Sequence, residues 1–553
     1  MKARMLNTCF LSLLLGFSAF QCNADEGAER NFQIVKALND HFSVAAKREV
    51  CGGRPMELPL LCNQTSSNTS LQDTMDKAPA EGVLRLGIRE FIKMVREKNE
   101  RINSQALEWA ISRDAVKGAQ SIFEPEFAGS YEHKYNRQQN TVQEFYSHNY
   151  QKEYQERDDD FSAAIEGLVP TGAQVRLGYT LRNVSDSLGD DNEYKTFLGG
   201  SLTQPLLKNA GIKTTTASIR IAEADSDVAF QAYRRDMIQV VSGAAVAYWD
   251  LSLAQEKLNM RKDSVRVAEK ILEDNRARFR TGKMAEIEVL EAQAGVALRR
   301  SLESKAKQYL VIAMNDVRTF FSSSANEKEM KVEANDRLEV EKLKPNFVDS
   351  LLKAFELQPE YISARRKIER EDIRLAFAKN QRWPQLDLKA SYGMNGLDDS
   401  TEGSWDAMSG DYKSWSVGCE LRIPFCGGMK TRSELAAAKK RKRQSLLEFN
   451  AVRVELANAV NTAVHNIYSV AEQVRYYASV VDFNKRLLDV ELARLAAGKS
   501  NSRLVLEKEE DLREAKEAEV ESLVAYRKAF LELDAAVGSL LISYGIEVTE
   551  VAS

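Results

Sequence analysis

The sequence predicts a mostly α-helical protein with a smaller β-strand component, built from one unit that occurs twice. From Leu456 to Leu495, mostly apolar residues follow one another at steps of four and three, which is the heptad rhythm of a long helix with one seam. Only 10 prolines occur in 553 residues, and none lies between Pro205 and Pro345 or after Pro424. Long proline-free stretches favour helices.

The duplication is visible in matched stretches at a near-constant offset. These pairs are Leu202–Leu206 with Leu421–Phe425, Gly211–Lys213 with Gly428–Lys430, Ala277–Lys283 with Ala493–Lys499, and Val289–Glu291 with Val505–Glu507. Such self-similarity over a long span indicates an internal repeat. Each repeat contains one long helix, roughly 214–281 and 429–497, which would be about 100 Å long at 1.5 Å per residue.

The N-terminus reads as an export signal. Residues 1–24 combine Lys2 and Arg4 with the apolar run Cys9–Phe20, which predicts a signal peptide cut after Ala24. A second reading is a lipoprotein that is acylated on Cys22. We find no later run of about 18 apolar residues, so we expect any crossing of a membrane to use strands.

Residues 25–83 form an N-terminal extension with two cysteines. Cys51 and Cys62 bracket a short loop, and in an oxidising compartment such a pair predicts a disulfide. The alternative is two free thiols. The cysteine-bracketed extension precedes both repeats.

The first repeat is predicted over 84–344 and the second over 345–545, with a tail at 546–553. The first has a helical stretch at 84–123, strands within about 125–205 and a helical hairpin at about 211–322. The second has a helix at 345–379, strands within about 384–425 and a hairpin at about 429–543. A polar insert at 132–160 interrupts the first strand region. We count four clear strands per chain, such as the one in which Val175, Leu177, Tyr179 and Leu181 alternate with polar residues.

Four strands cannot close a barrel, and an open sheet in lipid leaves backbone groups unsatisfied at its edges. The chain therefore has to borrow strands from its own copies. Two copies give eight strands, whose interior is filled by side chains, and three copies give twelve strands around a lumen. The strand face expected to point into water consists of Gln174, Arg176, Gln385, Asp387, Glu420 and Arg422. A second helical stripe (Val464, Tyr468, Ala471 and Ala478) suits a helix that has neighbours on two sides.

Composition and motifs point away from catalysis. The net charge is −4, and the four histidines (His41, His133, His148 and His465) have no metal-ligand spacing. No glycine-rich phosphate loop follows a strand. We therefore predict no enzyme activity, no catalytic residues, no metal, no cofactor and no nucleic-acid partner.

The duplicated elements at Pro205 and Pro424, with the turns Arg278–Gly282 and Arg494–Gly498, resemble those of the TolC family of outer membrane efflux proteins over about 84–545. The resemblance implies a homotrimer with an α-barrel tunnel in the periplasm. It also implies a twelve-stranded transmembrane β-barrel, four strands per chain, in the outer membrane of a Gram-negative bacterium. The expected partners are outer membrane lipid, a periplasmic adaptor (membrane fusion) protein and an inner-membrane pump or ABC transporter. The chain departs from the family pattern in its extension, in the 132–160 insert and at Lys508-Glu509.

The implied function is that of the exit duct of a tripartite efflux or type I secretion system. Small molecules or proteins would pass through it by passive export. The alternative is an envelope-associated structural coiled-coil protein without a pore. The pump selects the cargo in such machines, so a drug, a metal ion and a secreted protein are equally compatible with this chain.

Two sets of candidate site residues follow from the resemblance. Gly282, Lys283, Gly498 and Lys499 lie at the hairpin tips, where the family docks its adaptor. The alternative is that the two glycines are plain helix caps. Leu504, Glu507, Asp511 and Glu514 share one helical face after the second tip and are candidates for the periplasmic aperture. The alternative for these acids is a solvated face interleaved with Lys508, Arg513 and Lys516. The family often has acids six and nine positions after the tip glycine. In the second repeat these positions are Leu504 and Glu507, so only the second acid is retained, whereas the first repeat has both, at Glu288 and Glu291.

Overall fold

A computed structural model describes residues 83–147, 150, 152–186, 192–321, 331–336, 344–408, 410–424, 428–497, 499–546 and 548. Residues 79–553 form one compact unit. The predicted signal peptide, the Cys51–Cys62 disulfide, Cys22 and Gly498 lie outside the described residues.

Helices dominate the described part of the chain. In chain order they are α1 (Ile88–Lys98), α2 (Glu100–Gln120), α3 (Val142–Ser147), α4 (Ile212–Thr215), α5 (Ala217–Arg280), α6 (Glu286–Arg318), α7 (Phe347–Leu357), α8 (Pro359–Asn380), α9 (Thr401–Asp406), α10 (Met429–Ala496), α11 (Ser502–Val537) and α12 (Leu540–Ser543). The two long helices α5 and α10 agree with the predicted spans. At 64 and 68 residues each is about 100 Å long.

The strands of the described residues fall into two sheets. They are β1 (Val83–Leu86), β2 (Glu126–Gln139), β3 (Glu153–Leu168), β4 (Gln174–Asp186), β5 (Glu193–Pro205), β6 (Lys331–Ala334), β7 (Gln385–Asp398) and β8 (Lys413–Arg422). The large sheet is antiparallel in the order β2-β3-β4-β5-β7-β8, and the small sheet pairs β1 with β6 in parallel.

The large sheet corrects the predicted count of four strands per chain to six. The segment 132–160, expected to be a polar insert, supplies most of β2 and the start of β3. Its charges pair across the hairpin. Lys134 Nζ lies 3.3 Å from Asp160, and Tyr131 donates a hydrogen bond to Asp159 at 2.9 Å. Charged side chains that are neutralised by partners on the adjacent strand can occupy a β-strand. Because these residues are polar, a hydropathy pattern does not reveal the strand.

The start of the first repeat differs from the uninterrupted helix expected over 84–123. Residues 83–86 form β1, because their backbone groups pair with 331–334. The hydroxyl of Tyr248 on α5 closes this junction. It lies 2.5 Å from Asp336 Oδ2 and 3.0 Å from the carbonyl oxygen of Leu86. Tyr248 is 1% exposed, so burial, together with the bond to Asp336, raises its pKa above the ordinary range.

The expectation that no apolar run of about 18 residues follows the signal peptide is wrong. Helix α5 contains an 18-residue window with a mean hydropathy of 1.3, long and apolar enough to cross a membrane by composition alone. However, 67% of that window is buried within the fold. Val241, Ala244 and Leu251 of α5 are fully buried against α1, α2 and the end of α6. The run therefore supplies the core of the first repeat.

Arg299 of α6 joins the first helical hairpin to α11 of the second. Its side chain is 7% exposed and lies 3.0 Å from Glu509. It also donates hydrogen bonds to the carbonyl oxygen of Leu506 at 2.9 Å and to Ser264 Oγ at 3.1 Å. Ser264 in turn donates to Glu509 at 3.1 Å. The buried ion pair between Arg299 and Glu509 is therefore stabilised by contacts among α5, α6 and α11.

A second group of charges extends this junction along α11. Arg513 donates to Glu510 at 2.5 Å, and Arg261 of α5 lies 3.5 Å from Glu510 and 3.2 Å from Glu517. Burial by itself raises the pKa of Glu510, but the hydrogen bond from Arg513 and the charges of Arg513, Arg299 and Arg261 outweigh it and lower the pKa. The stabilisation is therefore present at neutral pH and is lost as the pH falls through the lowered pKa of Glu510.

We predict that Arg299→Gln destabilises the protein by roughly 3 kcal/mol, because removing one partner leaves a buried charge uncompensated. The matched control is the neighbouring Arg300→Gln. The Arg300 side chain is 66% exposed and pairs with Glu269 at 2.7 Å, so its loss should cost less than about 1 kcal/mol. Thermal unfolding of the purified protein in detergent measures both. Equal melting temperatures for the two variants would show that the buried network does not hold the hairpins together.

Candidate functional site

The two hairpin tips lie about 100 Å along α5 and α10 from the sheet. At the first tip Gly282 has φ of +72°, and an added Cβ would meet no atom within 4 Å. Glycine is therefore needed for its backbone conformation and not for space. Lys283 N donates to the carbonyl of Arg278 at 2.9 Å, and Lys499 N donates to the carbonyl of Arg494 at 2.9 Å. The two turns thus close with the same hydrogen bond.

The second tip is tied to the first hairpin by buried polar side chains. Asn501 caps α11 by accepting from Leu504 N at 3.0 Å. The next residue, Ser502, is 3% exposed and donates to Asn275 of α5 at 2.8 Å. Asn275 in turn donates to the carbonyl of Glu288 at 3.2 Å. These bonds fix where the acidic stretch of α11 begins.

The aperture candidates share one face of α11, as their spacing predicted. Glu507 is exposed and Leu504 is half-buried. The Glu514 side chain is 67% exposed. Asp511 is held by Lys508 of the same helix, with 2.9 Å between Nζ and the carboxylate, and this bond raises the pKa of Lys508. Glu507 and Glu514 are the acids of this face that project furthest into solvent.

The opposite acids of α11 have a different role that the sequence did not reveal. Glu509, Glu510 and Glu517 face the first hairpin and are bound by the arginines described above. Arg513, expected on a solvated face, has a side chain only 4% exposed. A usable signal existed, because Arg299 follows Val289, Ala292 and Val296 at seam spacing. A charged residue at a seam position indicates a buried partner.

The two outermost helices near the tips carry exposed apolar rows. Helix α5 packs on α6 and on α11, and α11 packs on α10. This leaves one side of α6 and one side of α10 uncovered. The exposed residues are Ile287, Leu290, Leu298, Tyr309 and Ile312 on α6, and Tyr476, Val480, Phe483, Leu487 and Val490 on α10. Both rows follow helical spacing, so each can form a seam with another helix.

The row on α10 differs from the second stripe that the sequence suggested. Val464 of that stripe is 4% exposed and belongs to the chain's own core. Tyr468 donates to the carbonyl of Pro345 at 2.9 Å. The uncovered row lies nearer the tip, from Tyr476 to Val490. Which apolar residues of α10 remain exposed depends on the short helices that cover its upper part. The local sequence of α10 does not contain this information.

The large sheet has one apolar and one polar face. One level of paired residues runs through all six strands: Phe127, Ile165, Leu177, Gly200, Tyr392 and Trp415. Except for the glycine, these side chains are between 55% and 76% exposed. The other face holds the predicted water-facing residues, where Arg176 lies 3.3 Å from Glu166 and Gln385 donates to Asp387 at 2.6 Å. Such a sheet suits lipid on one side and water on the other.

Among the residues that the structure describes, no group of three or more His, Cys, Asp or Glu side chains could hold a metal ion. The functional geometry of this part of the chain therefore consists of surfaces: a two-faced sheet, two exposed helix edges and two tips with an acidic row beside them.

A sequence model of the family described as "Outer membrane efflux protein" matches residues 91–321 and 357–539. A comparison with curated protein sequences finds no match.

Solved structures with the same fold include three bacterial channels. The CmeC outer membrane channel of Campylobacter jejuni is 16% identical, with a TM-score of 0.59, and the match covers 82% of this chain and 86% of that one. For VceC of Vibrio cholerae the identity is 13%, the TM-score 0.57 and the coverage 82% and 96%. For the open state of MtrE of Neisseria gonorrhoeae the values are 15%, 0.56, 82% and 89%. At these identities the likeness establishes the fold.

Proposed function

The chain belongs to the outer membrane efflux protein family, and from that premise we propose that it is the passive exit duct of a tripartite export machine. Members are outer membrane exit channels of Gram-negative efflux systems, and they are homotrimers that work with pump complexes. The observation that supports a duct in this chain is the combination of a two-faced sheet with two helical hairpins about 100 Å long.

The motif content of the sequence supports passive transport. No glycine-rich phosphate loop follows a strand in the sequence, so the energy for transport has to come from a partner. That partner is an inner-membrane pump or an ABC transporter, reached through a periplasmic adaptor. The cargo consists of drugs, metal ions or secreted proteins, as in efflux or type I secretion.

The rival reading, a structural coiled-coil protein without a pore, leaves the sheet unexplained. A scaffold in water gains nothing from exposing Phe127, Leu177 and Trp415 on one face. A lipid-facing wall requires that exposure.

The proposed duct is tested by reconstitution and deletion. We expect the purified trimer to conduct ions in planar bilayers, because its lumen is polar. A strain lacking the protein should become more susceptible to toxic compounds or should lose a secreted protein. A protein that never conducts, in a strain whose deletion changes neither property, would contradict the proposal.

We further propose that the tips, with Gly282, Lys283, Gly498 and Lys499, dock the adaptor. Gly282→Val should strain the left-handed turn by about 1–2 kcal/mol and reduce both export and cross-linking to the adaptor, while insertion into the outer membrane is unchanged. Gly282→Asn is the matched control, since asparagine tolerates this conformation. Export that is unchanged in the valine variant would remove the tip from the docking surface.

Our proposal for the aperture is that Leu504, Glu507, Asp511 and Glu514 of α11 line the periplasmic mouth. In a trimer each carboxylate appears three times around the axis. Acids that ring a narrow mouth attract cations and repel anions. The exposure of Glu507 supports this assignment over a wholly paired acidic surface. Glu514 lies 3.5 Å from Arg513, but 67% of its side chain remains exposed.

Glu507→Gln combined with Asp511→Asn should shift the reversal potential in a salt gradient toward zero and weaken block by multivalent cations from the periplasmic side. The control is an acidic pair of the first repeat, Glu288→Gln with Glu291→Gln, in which Glu291 corresponds to Glu507. This variant should leave both properties unchanged. A shift in the control but not in the second-repeat variant would move the mouth to the first repeat.

A further inference from the structure

We propose that the assembled barrel contains eighteen strands, six from each chain, and that β2 of one chain seals against β8 of the next. The inference rests on the trimeric duct proposed above and replaces the twelve strands expected from the resemblance. It places the β2–β3 hairpin in the barrel wall. Each open edge of the sheet is then covered by a neighbouring copy of the chain.

The β2–β3 hairpin is a continuous part of the sheet. β2 pairs with β3 from Glu126↔Glu166 to Gln139↔Glu153, and β3 pairs with β4 from Leu168↔Gln174 to Glu156↔Asp186. The first ladder runs the full length of β2, and the second runs the full length of β4. A hairpin that left the sheet would have to break the long β3–β4 ladder.

The turn between β3 and β4 is fixed to the end of the sheet from which the helices leave. Gly211 N donates to the carbonyl of Thr171 at 3.1 Å, and Thr171 Oγ1 donates to Gln204 Oε1 at 3.1 Å. Gly172, with φ of +92°, approaches so closely that an added Cβ would lie 2.7 Å from the carbonyl oxygen of Asn209. The hairpin therefore stands at the same level as the other strands.

The faces of the hairpin match those of the other four strands. On the apolar side Phe127 and Ile165 continue the level of Leu177, and Tyr131 packs on Phe161 with ring centroids 4.6 Å apart. On the polar side the hydroxyls of Ser130 and Ser162 lie 2.8 Å apart. An apolar band that continues onto β2 and β3 is stabilising only if lipid reaches it.

The two open edges are compatible with each other. Neighbouring strands alternate in direction through the sheet, so β8 runs opposite to β2. An even number of strands per chain lets β8 pair antiparallel with β2 of the next copy. Each unpaired backbone group at such an edge costs several kcal/mol in lipid. Closure of three copies removes all of these edges and gives eighteen strands.

The consequence is a wider outlet. Barrel diameter grows roughly linearly with strand number, so eighteen strands give a barrel about 1.5 times as wide as twelve. Barrels of about this size leave an aqueous channel. The size limit on cargo would then be set by the helical tunnel and its aperture.

The rival arrangement is a twelve-stranded barrel in which β4 seals against β8 and the β2–β3 hairpin lies outside. Photo-cross-linking distinguishes the two. With Phe127→p-benzoylphenylalanine in the full-length trimer, irradiation should link neighbouring chains, because β2 lies at the seam. Leu177→p-benzoylphenylalanine is the matched control, on the same apolar face but in the middle of the six strands, and should give no link between chains. The reverse pattern would overturn the proposal.

Electron cryomicroscopy of the trimer in lipid nanodiscs counts the strands directly. Eighteen strands in the wall support the inference, and twelve overturn it. A trimer that conducts ions but has twelve strands would contradict the strand count and leave the proposed duct intact. A protein that does not form a conducting trimer would contradict the duct itself.

Discussion

The structure depends on the rule that a backbone amide or carbonyl in lipid must find a hydrogen-bond partner within protein. The large sheet satisfies this rule everywhere except along its first and last strands, β2 and β8. The helical part has the same incompleteness in another form, since α6 and α10 expose apolar rows near the tips. One chain is therefore a segment of a wall. Both halves of the molecule become complete only through neighbours, which accords with the homotrimers of the family.

The parts of the fold that could be predicted from the sequence are those that local periodicity specifies. The heptad steps from Leu456 to Leu495 predict the long helix α10, which the structure confirms. Strand β4 was visible because its apolar and polar residues alternate strictly. In β2 and β3 the charged residues have partners on the adjacent strand, so the apolar pattern is diluted and residues 132–160 have the pattern of a polar insert.

What the sequence could not specify depends on distant partners. The four residues of β1 are a strand only because residues 331–334 lie beside them. The burial of Arg513 and Arg299 depends on the packing of α11 against the first hairpin. Polar groups within apolar seams favour one alignment of the helices over shifted ones, since a shift would leave them unpaired. We interpret Arg299, Asn275 and Ser502 as the residues that set the alignment of the two hairpins.

The small parallel sheet also constrains the order in which the chain folds after export. Arg85 of β1 binds Glu333 of β6, a partner 248 positions later. Parallel pairing over so long a separation forms slowly, because the loop between the strands has to be ordered first. A chain that enters the periplasm with its N-terminus first exposes β1 well before β6 has crossed. The first repeat must therefore wait in an incompletely folded form, and in that interval periplasmic chaperones would have access to its apolar segments.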